Sequence, residues 1–85
     1  MEKKELSQRI RKFLKEYAVV IDGEYTSPDA YQLEAAAVIL ESGKPLTTFP
    51  WSEWGSGGYK PYSSKKGSKE HDEILELIKC FQVIG

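Results

Sequence analysis

Residues 27–43 read SPDAYQLEAAAVILESG. Ser27 is a favoured residue for capping the start of a helix, and Pro28 suits the first helical position because the N–H that proline lacks would have no partner there. Gly43 is typical of a helix end, since glycine readily adopts the left-handed conformation of that position. These signals predict a helix over residues 28–42, and the rest of the fold can be worked out from it.

The predicted helix is apolar on almost every side of its helical wheel. One side carries Leu33, Ala36, Ala37 and Leu40, and the other carries Tyr31, Ala35, Val38 and Ile39. Only Glu34 and Glu41 indicate a solvated stripe. A helix that is apolar all round is usually buried on more than one side. The pattern therefore predicts a fold of three helices in which this one is central. A chain too small to cover both sides would leave the Tyr31 side as a docking surface.

Two amphipathic helices are predicted on either side of it in the sequence. Over residues 2–17 the apolar positions follow helical spacing: Leu6, Ile10, Phe13, Leu14 and Tyr17. We expect this stripe to face the core rather than a membrane surface, because acidic residues share the basic polar face. Ser68 can cap a last helix over 69–83, whose apolar stripe is formed by Ile74, Leu75, Leu77, Ile78 and Phe81.

The segment 18–27 contains a hairpin signal. Its apolar run ends at Asp22-Gly23, and this pair suits a type I′ turn, in which both central residues need positive φ. Two interpretations stay open: a short β-hairpin, or a first helix that continues to Ile21 and ends at the glycine. A third strand at 46–49 would make the fold α+β with a small three-stranded sheet instead of mainly α.

Residues 50–68 form a glycine- and serine-rich segment without aliphatic side chains. Long loops in small domains are commonly functional. This one carries four large aromatic rings, those of Trp51, Trp54, Tyr59 and Tyr62. Such rings are costly to leave in water, so we expect them to lie against the core or a partner. Together with Tyr31 they are the predicted partner-contact residues.

Length and composition indicate the class of protein. The chain has 85 residues, which predicts a single domain over residues 1–85. Its only cysteine, Cys80, cannot form a disulfide within the chain, and small secreted domains usually need one. The first 16 residues carry nine charges and no apolar run is long enough to span a bilayer. We therefore expect a cytoplasmic protein with no membrane partner.

The sequence contains no recognisable catalytic or ligand-binding motif. His71 and Cys80 are the only histidine and cysteine, too few for a structural zinc site in one chain. The glycines of 55–60 lack the Gly-Lys-Ser/Thr ending of a phosphate-binding loop and the last glycine of a dinucleotide loop. We expect no enzyme activity, no metal or cofactor, and no small-molecule substrate.

Charge is distributed in alternating blocks although the net charge is only −1. Residues 1–16, 17–53, 54–69 and 70–85 carry +3, −5, +4 and −3 respectively. The third block contains four lysines within or next to the aromatic segment: Lys60, Lys65, Lys66 and Lys69. Cations interleaved with aromatic rings are typical of single-stranded nucleic-acid binding, which is the alternative function. The main prediction is a non-catalytic interaction domain that binds a protein partner or itself as a homodimer.

Overall fold

The computed structural model of the protein describes residues 2–45, 61 and 65–84. In chain order the elements are helix α1 (Lys3–Tyr17), strands β1 (Val20–Ile21) and β2 (Glu24–Tyr25), helix α2 (Pro28–Ser42) and helix α3 (Lys69–Ile84). The prediction of a mainly α fold with three helices and a short hairpin is confirmed. The candidate third strand at 46–49, on which the α+β alternative depends, and most of the loop at 50–68 lie outside the described residues.

The helix ends form as the local side chains predict. At the start of α2 the backbone N–H of Asp29 donates a hydrogen bond of 3.1 Å to the Ser27 hydroxyl. Gly43 follows the last turn with a φ of 75°, in the left-handed region that favours glycine. At the start of α3 the Ser68 hydroxyl accepts a hydrogen bond of 3.2 Å from the N–H of His71. Both predicted caps are confirmed.

The segment after α1 is a hairpin, so the alternative of a helix continuing to Ile21 is wrong. Ala18 already has extended backbone angles. β1 and β2 pair antiparallel across Asp22 and Gly23, whose φ angles are 52° and 79°. Positive φ at both positions is the requirement of a type I′ turn, whose twist matches that of the two strands.

The central helix is α1, not α2 as the wheel predicted. α1 packs against both other helices, and most extensively against α2. The Cα atoms of α2 and α3 stay more than 8 Å apart. The fully buried large side chains belong to all three helices: Leu6, Ile10, Leu33, Ile74 and Leu77. The apolar wheel of α2 was misleading because only one of its sides enters this core.

Burial of the apolar stripe of α1 confirms that it faces the core. Leu6, Ile10, Phe13 and Leu14 are all buried, so this stripe is not available to a membrane surface. Within the described ranges, no helix combines the length and apolar character that a membrane crossing requires.

Candidate interaction surface

The outer side of α2 is an apolar stripe that faces solvent. Tyr31 and Val38 are 49% and 50% exposed, and Ala35 between them is half-buried. Successive residues of a helix are 100° apart, so this stripe lies opposite the buried side that carries Leu33 and Leu40. Of the predicted partner-contact residues, Tyr31 is therefore found at the surface.

The hairpin continues this stripe at the N-terminal end of α2. The ring of Tyr25 packs edge-on against that of Tyr31, with ring centroids 5.5 Å apart. The N–H of Thr26 donates to the Val19 carbonyl at 3.1 Å, which makes Val20 and Tyr25 the next, non-hydrogen-bonded pair of the antiparallel ladder. Side chains of such a pair lie close together on one face of the hairpin. The apolar surface thus runs from β1 across β2 onto α2.

We call this surface the α2–hairpin face and define it by Val20, Tyr25, Tyr31, Ala35 and Val38. Val19 and Ile21 extend exposed apolar area to the other side of β1, since successive strand residues point to opposite faces. Among the described residues, the large hydrophobic side chains that are exposed number seven, and five of them lie on β1, the residue before it, or α2. The other two, Leu75 and Val83, are on α3.

The charge around the α2–hairpin face is predominantly negative. Residues 18–43 contain five acidic residues and no lysine, arginine or histidine. Asp22 and Glu24 are exposed on the hairpin. Glu34 and Glu41 are one heptad apart and follow one flank of the apolar stripe. The apolar face is therefore bordered by carboxylates.

Arg11 of α1 holds the two glutamates of α2. Its Nη2 and Nε atoms donate to the two carboxylate oxygens of Glu41 at 2.8 and 3.2 Å, and its Nη1 donates to Glu34. The hydrogen bond from Arg11 lowers the pKa of Glu41, and the bond to Glu41 raises the pKa of Arg11. The expectation of a merely solvated stripe at Glu34 and Glu41 is thus corrected. These carboxylates fasten α2 to the central helix.

A matching ion pair joins α1 to α3. Arg9 donates from Nε and Nη2 to the two carboxylate oxygens of Glu73 at 2.9 and 3.2 Å, which raises the pKa of Arg9. Its Nη1 also lies 3.8 Å from the half-buried Cys80 sulfur. Sequence reasoning missed both arginine contacts. The available signal was that Arg9 and Arg11 are the only arginines of the chain and that their spacing places them on different sides of α1.

A groove of about 460 Å³ lies between α1 and α3. The Phe13 and Tyr17 rings, with centroids 4.9 Å apart, contribute to its lining. Charged side chains of both signs complete the lining: Arg9, Lys12, Glu16, Lys69, Asp72 and Glu73. With cations and carboxylates interleaved, this groove has no clear preference for an anionic or a cationic ligand.

The predicted basic and aromatic residues of the long loop are described only in part. Lys65, Lys66 and Lys69 are exposed. The remaining predicted contacts lie outside the described residues: Lys60, Trp51, Trp54, Tyr59 and Tyr62. In the described part of the chain no three histidine, cysteine, aspartate or glutamate side chains come together as a metal site. In comparisons with protein-family models, curated proteins and solved structures, the chain has no match.

Proposed function

We propose that the protein is a non-catalytic interaction domain that binds a protein partner through the α2–hairpin face. The observation that carries the proposal is that three exposed large apolar side chains, Val20, Tyr31 and Val38, lie on one face with the Tyr25 ring among them. Scattered exposed hydrophobic residues are normal in a soluble protein, whereas a contiguous group is typical of an interaction site.

The composition and rigidity of this face favour a protein partner. Tyrosine is among the residues that contribute most to binding energy at interfaces, and two tyrosine rings lie together at its centre. The type I′ turn, the Ser27 cap and the Arg11 ion pairs hold the hairpin and α2 in place before binding. A preorganised surface loses less conformational entropy when a partner binds.

Single-stranded nucleic-acid binding is the second candidate, supported by the exposure of Lys65, Lys66 and Lys69. Acidic residues follow these lysines directly at the start of α3, where they would repel phosphates: Glu70, Asp72 and Glu73. We therefore favour the protein partner, and the single cysteine supports a cytoplasmic location. Trp51, Trp54, Tyr59 and Tyr62 stay predicted contact residues.

Affinity capture with matched variants tests the proposal. The immobilised chain is exposed to an extract of the cells that produce it, and bound proteins are quantified by mass spectrometry. We expect a protein that is retained by the wild type and lost with the double substitution Tyr31→Ser and Val38→Ser. Leu75→Ser, an exposed apolar position on α3, is the control and should retain it. If every protein captured binds the double variant as well, the proposal is wrong.

A further inference from the structure

We propose that the partner segment recognised by the α2–hairpin face is a basic amphipathic helix of another protein. This inference rests on the proposed function and adds the chemistry of the partner. It follows from two properties of the same surface, an apolar stripe that runs along a helix axis and a flank on which two carboxylates share one guanidinium and so leave a net negative charge.

The shape of the stripe fits a helix laid along it. Tyr31 and Val38 are seven residues apart, which places them about 10 Å apart along the axis of α2. Ala35 lies between them, and its small side chain leaves room for a larger one from the partner. A partner helix presents apolar side chains at i, i+3, i+4 and i+7, the spacing used when amphipathic helices bind in grooves. The Tyr25 ring, packed against Tyr31, extends the apolar contact from α2 onto the hairpin.

The charges around the stripe favour a positively charged partner. At the hairpin end Asp22 is exposed in the turn, and Glu24 is exposed on the hairpin face that also carries Ile21. Along the flank, Glu34 and Glu41 each keep more than a third of their side chain exposed although they bind Arg11. A carboxylate oxygen can accept more than one hydrogen bond, so these groups can also bind lysine or arginine of a partner. Complementary charge favours a basic helix and disfavours an acidic one.

The same charges argue against a second copy of this chain on the face. A two-fold dimer is self-complementary, so the same patch of both protomers would meet. The five acidic residues of segment 18–43 would then meet those of the second copy, with only Arg11 of each copy to offset them. Nor can α1 of a second copy serve as the basic amphipathic helix, because its apolar stripe is already buried against α2 and α3.

Binding of designed peptides to the full chain tests the inference. The probe is a fluorescent 15-residue helix with leucines at i, i+3, i+4 and i+7 and lysines elsewhere, measured by anisotropy. Two reference peptides replace lysine by glutamate or scramble the leucine positions. We expect the lysine peptide to bind tightest and Tyr31→Ser to weaken it roughly 30-fold as at an interface hot spot. Asp22→Asn keeps a residue that suits the type I′ turn but removes an exposed carboxylate, and it should weaken binding about twofold. Asp72→Lys, an exposed acid on α3, should leave the affinity unchanged.

Val38→Ser provides a second test should Tyr31→Ser disturb folding, which circular dichroism would reveal. Equal binding of the lysine and glutamate peptides would overturn the basic partner and leave the proposed function standing. A concentration-dependent dimer that Val38→Ser abolishes would assign the face to a second copy and also overturn it. If the lysine peptide fails to bind but affinity capture succeeds, only this inference is overturned. If both the peptide and the capture experiment fail, the proposed function is overturned as well.

Discussion

Replacement of Arg11 by glutamine should weaken the attachment of α2 to the central helix. The substitution removes a bidentate ion pair with Glu41 and a second ion pair with Glu34. All three side chains are between 35% and 42% exposed. Exposed ion pairs each contribute about 0.2–1 kcal/mol, because water screens them and ordering long side chains costs entropy. For two pairs we expect a loss of about 1 kcal/mol in the free energy of unfolding, or roughly 4–8 °C in Tm.

The pH dependence of this loss follows from the Glu41 carboxylate. Arg11 lowers the pKa of Glu41 below its ordinary value of 4.5 in the folded protein. The ion pair therefore contributes its full stabilisation above that value and loses it as the pH falls through the lower pKa of the folded state. The difference in stability between the wild type and Arg11→Gln should be present at pH 7 and shrink progressively below pH 4.5.

Urea unfolding followed by circular dichroism provides the assay. A double-mutant cycle with Glu41→Gln should give a coupling energy of about 0.5 kcal/mol that decreases in 1 M salt. Lys12→Gln, an exposed cation on the same helix, is the control for loss of charge alone. A loss of stability in Arg11→Gln no larger than that in Lys12→Gln, or a coupling energy that is the same at pH 7 and pH 3, would contradict a stabilising role for these ion pairs.

Three other predictions test the fold and the second candidate function. Leu33→Ala should cost about 3 kcal/mol of unfolding free energy because it opens a cavity in the core. Val38→Ala on the opposite side of α2 should cost less than about 1 kcal/mol, and equal losses would contradict the assigned sides of the helix. Gly43→Ala should lower stability by about 1 kcal/mol in the same assay because an L-residue is strained at a φ of 75°, and an unchanged Tm would contradict this. A single-stranded 12-mer oligonucleotide should bind no more tightly than about 10⁻⁴ M at physiological salt; tighter binding that weakens steeply with salt and is lost on Lys69→Gln would favour the nucleic-acid candidate.

Local chemistry explains which parts of the fold could be predicted from sequence. Ser27 and Gly43 bound α2 because capping depends on the cap residue and its own backbone, and Asp22-Gly23 specifies a turn that requires positive φ. The choice of central helix depends on contacts between distant segments, which a helical wheel does not contain. An apolar wheel can thus describe either a helix buried all round or, as in α2, one with an uncovered side.

In the candidate site, too, features set by local sequence could be predicted and contacts between distant segments could not. Tyr31 could be assigned to the outer side of α2 from its angle on the wheel. Its contact with Tyr25 required the hairpin register, which places Tyr25 opposite Val20. The partners of Arg11 could not be predicted, because several carboxylates along the chain were equally available to it. Long-range pairing between charged side chains is set by the packing of the helices, and the residues that neighbour each charge in the sequence do not indicate its partner.

The α2–hairpin face is tested most directly by an NMR titration of the ¹⁵N-labelled full chain with the lysine–leucine peptide. We expect saturable shifts of backbone amide signals at residues 19–25 of the hairpin and at Tyr31, Ala35 and Val38 of α2. Signals along the exposed side of α3, including Leu75 and Val83, should stay unchanged. Shifts confined to the groove between α1 and α3, or absent from the α2–hairpin face, would contradict the claim that this face is the binding surface.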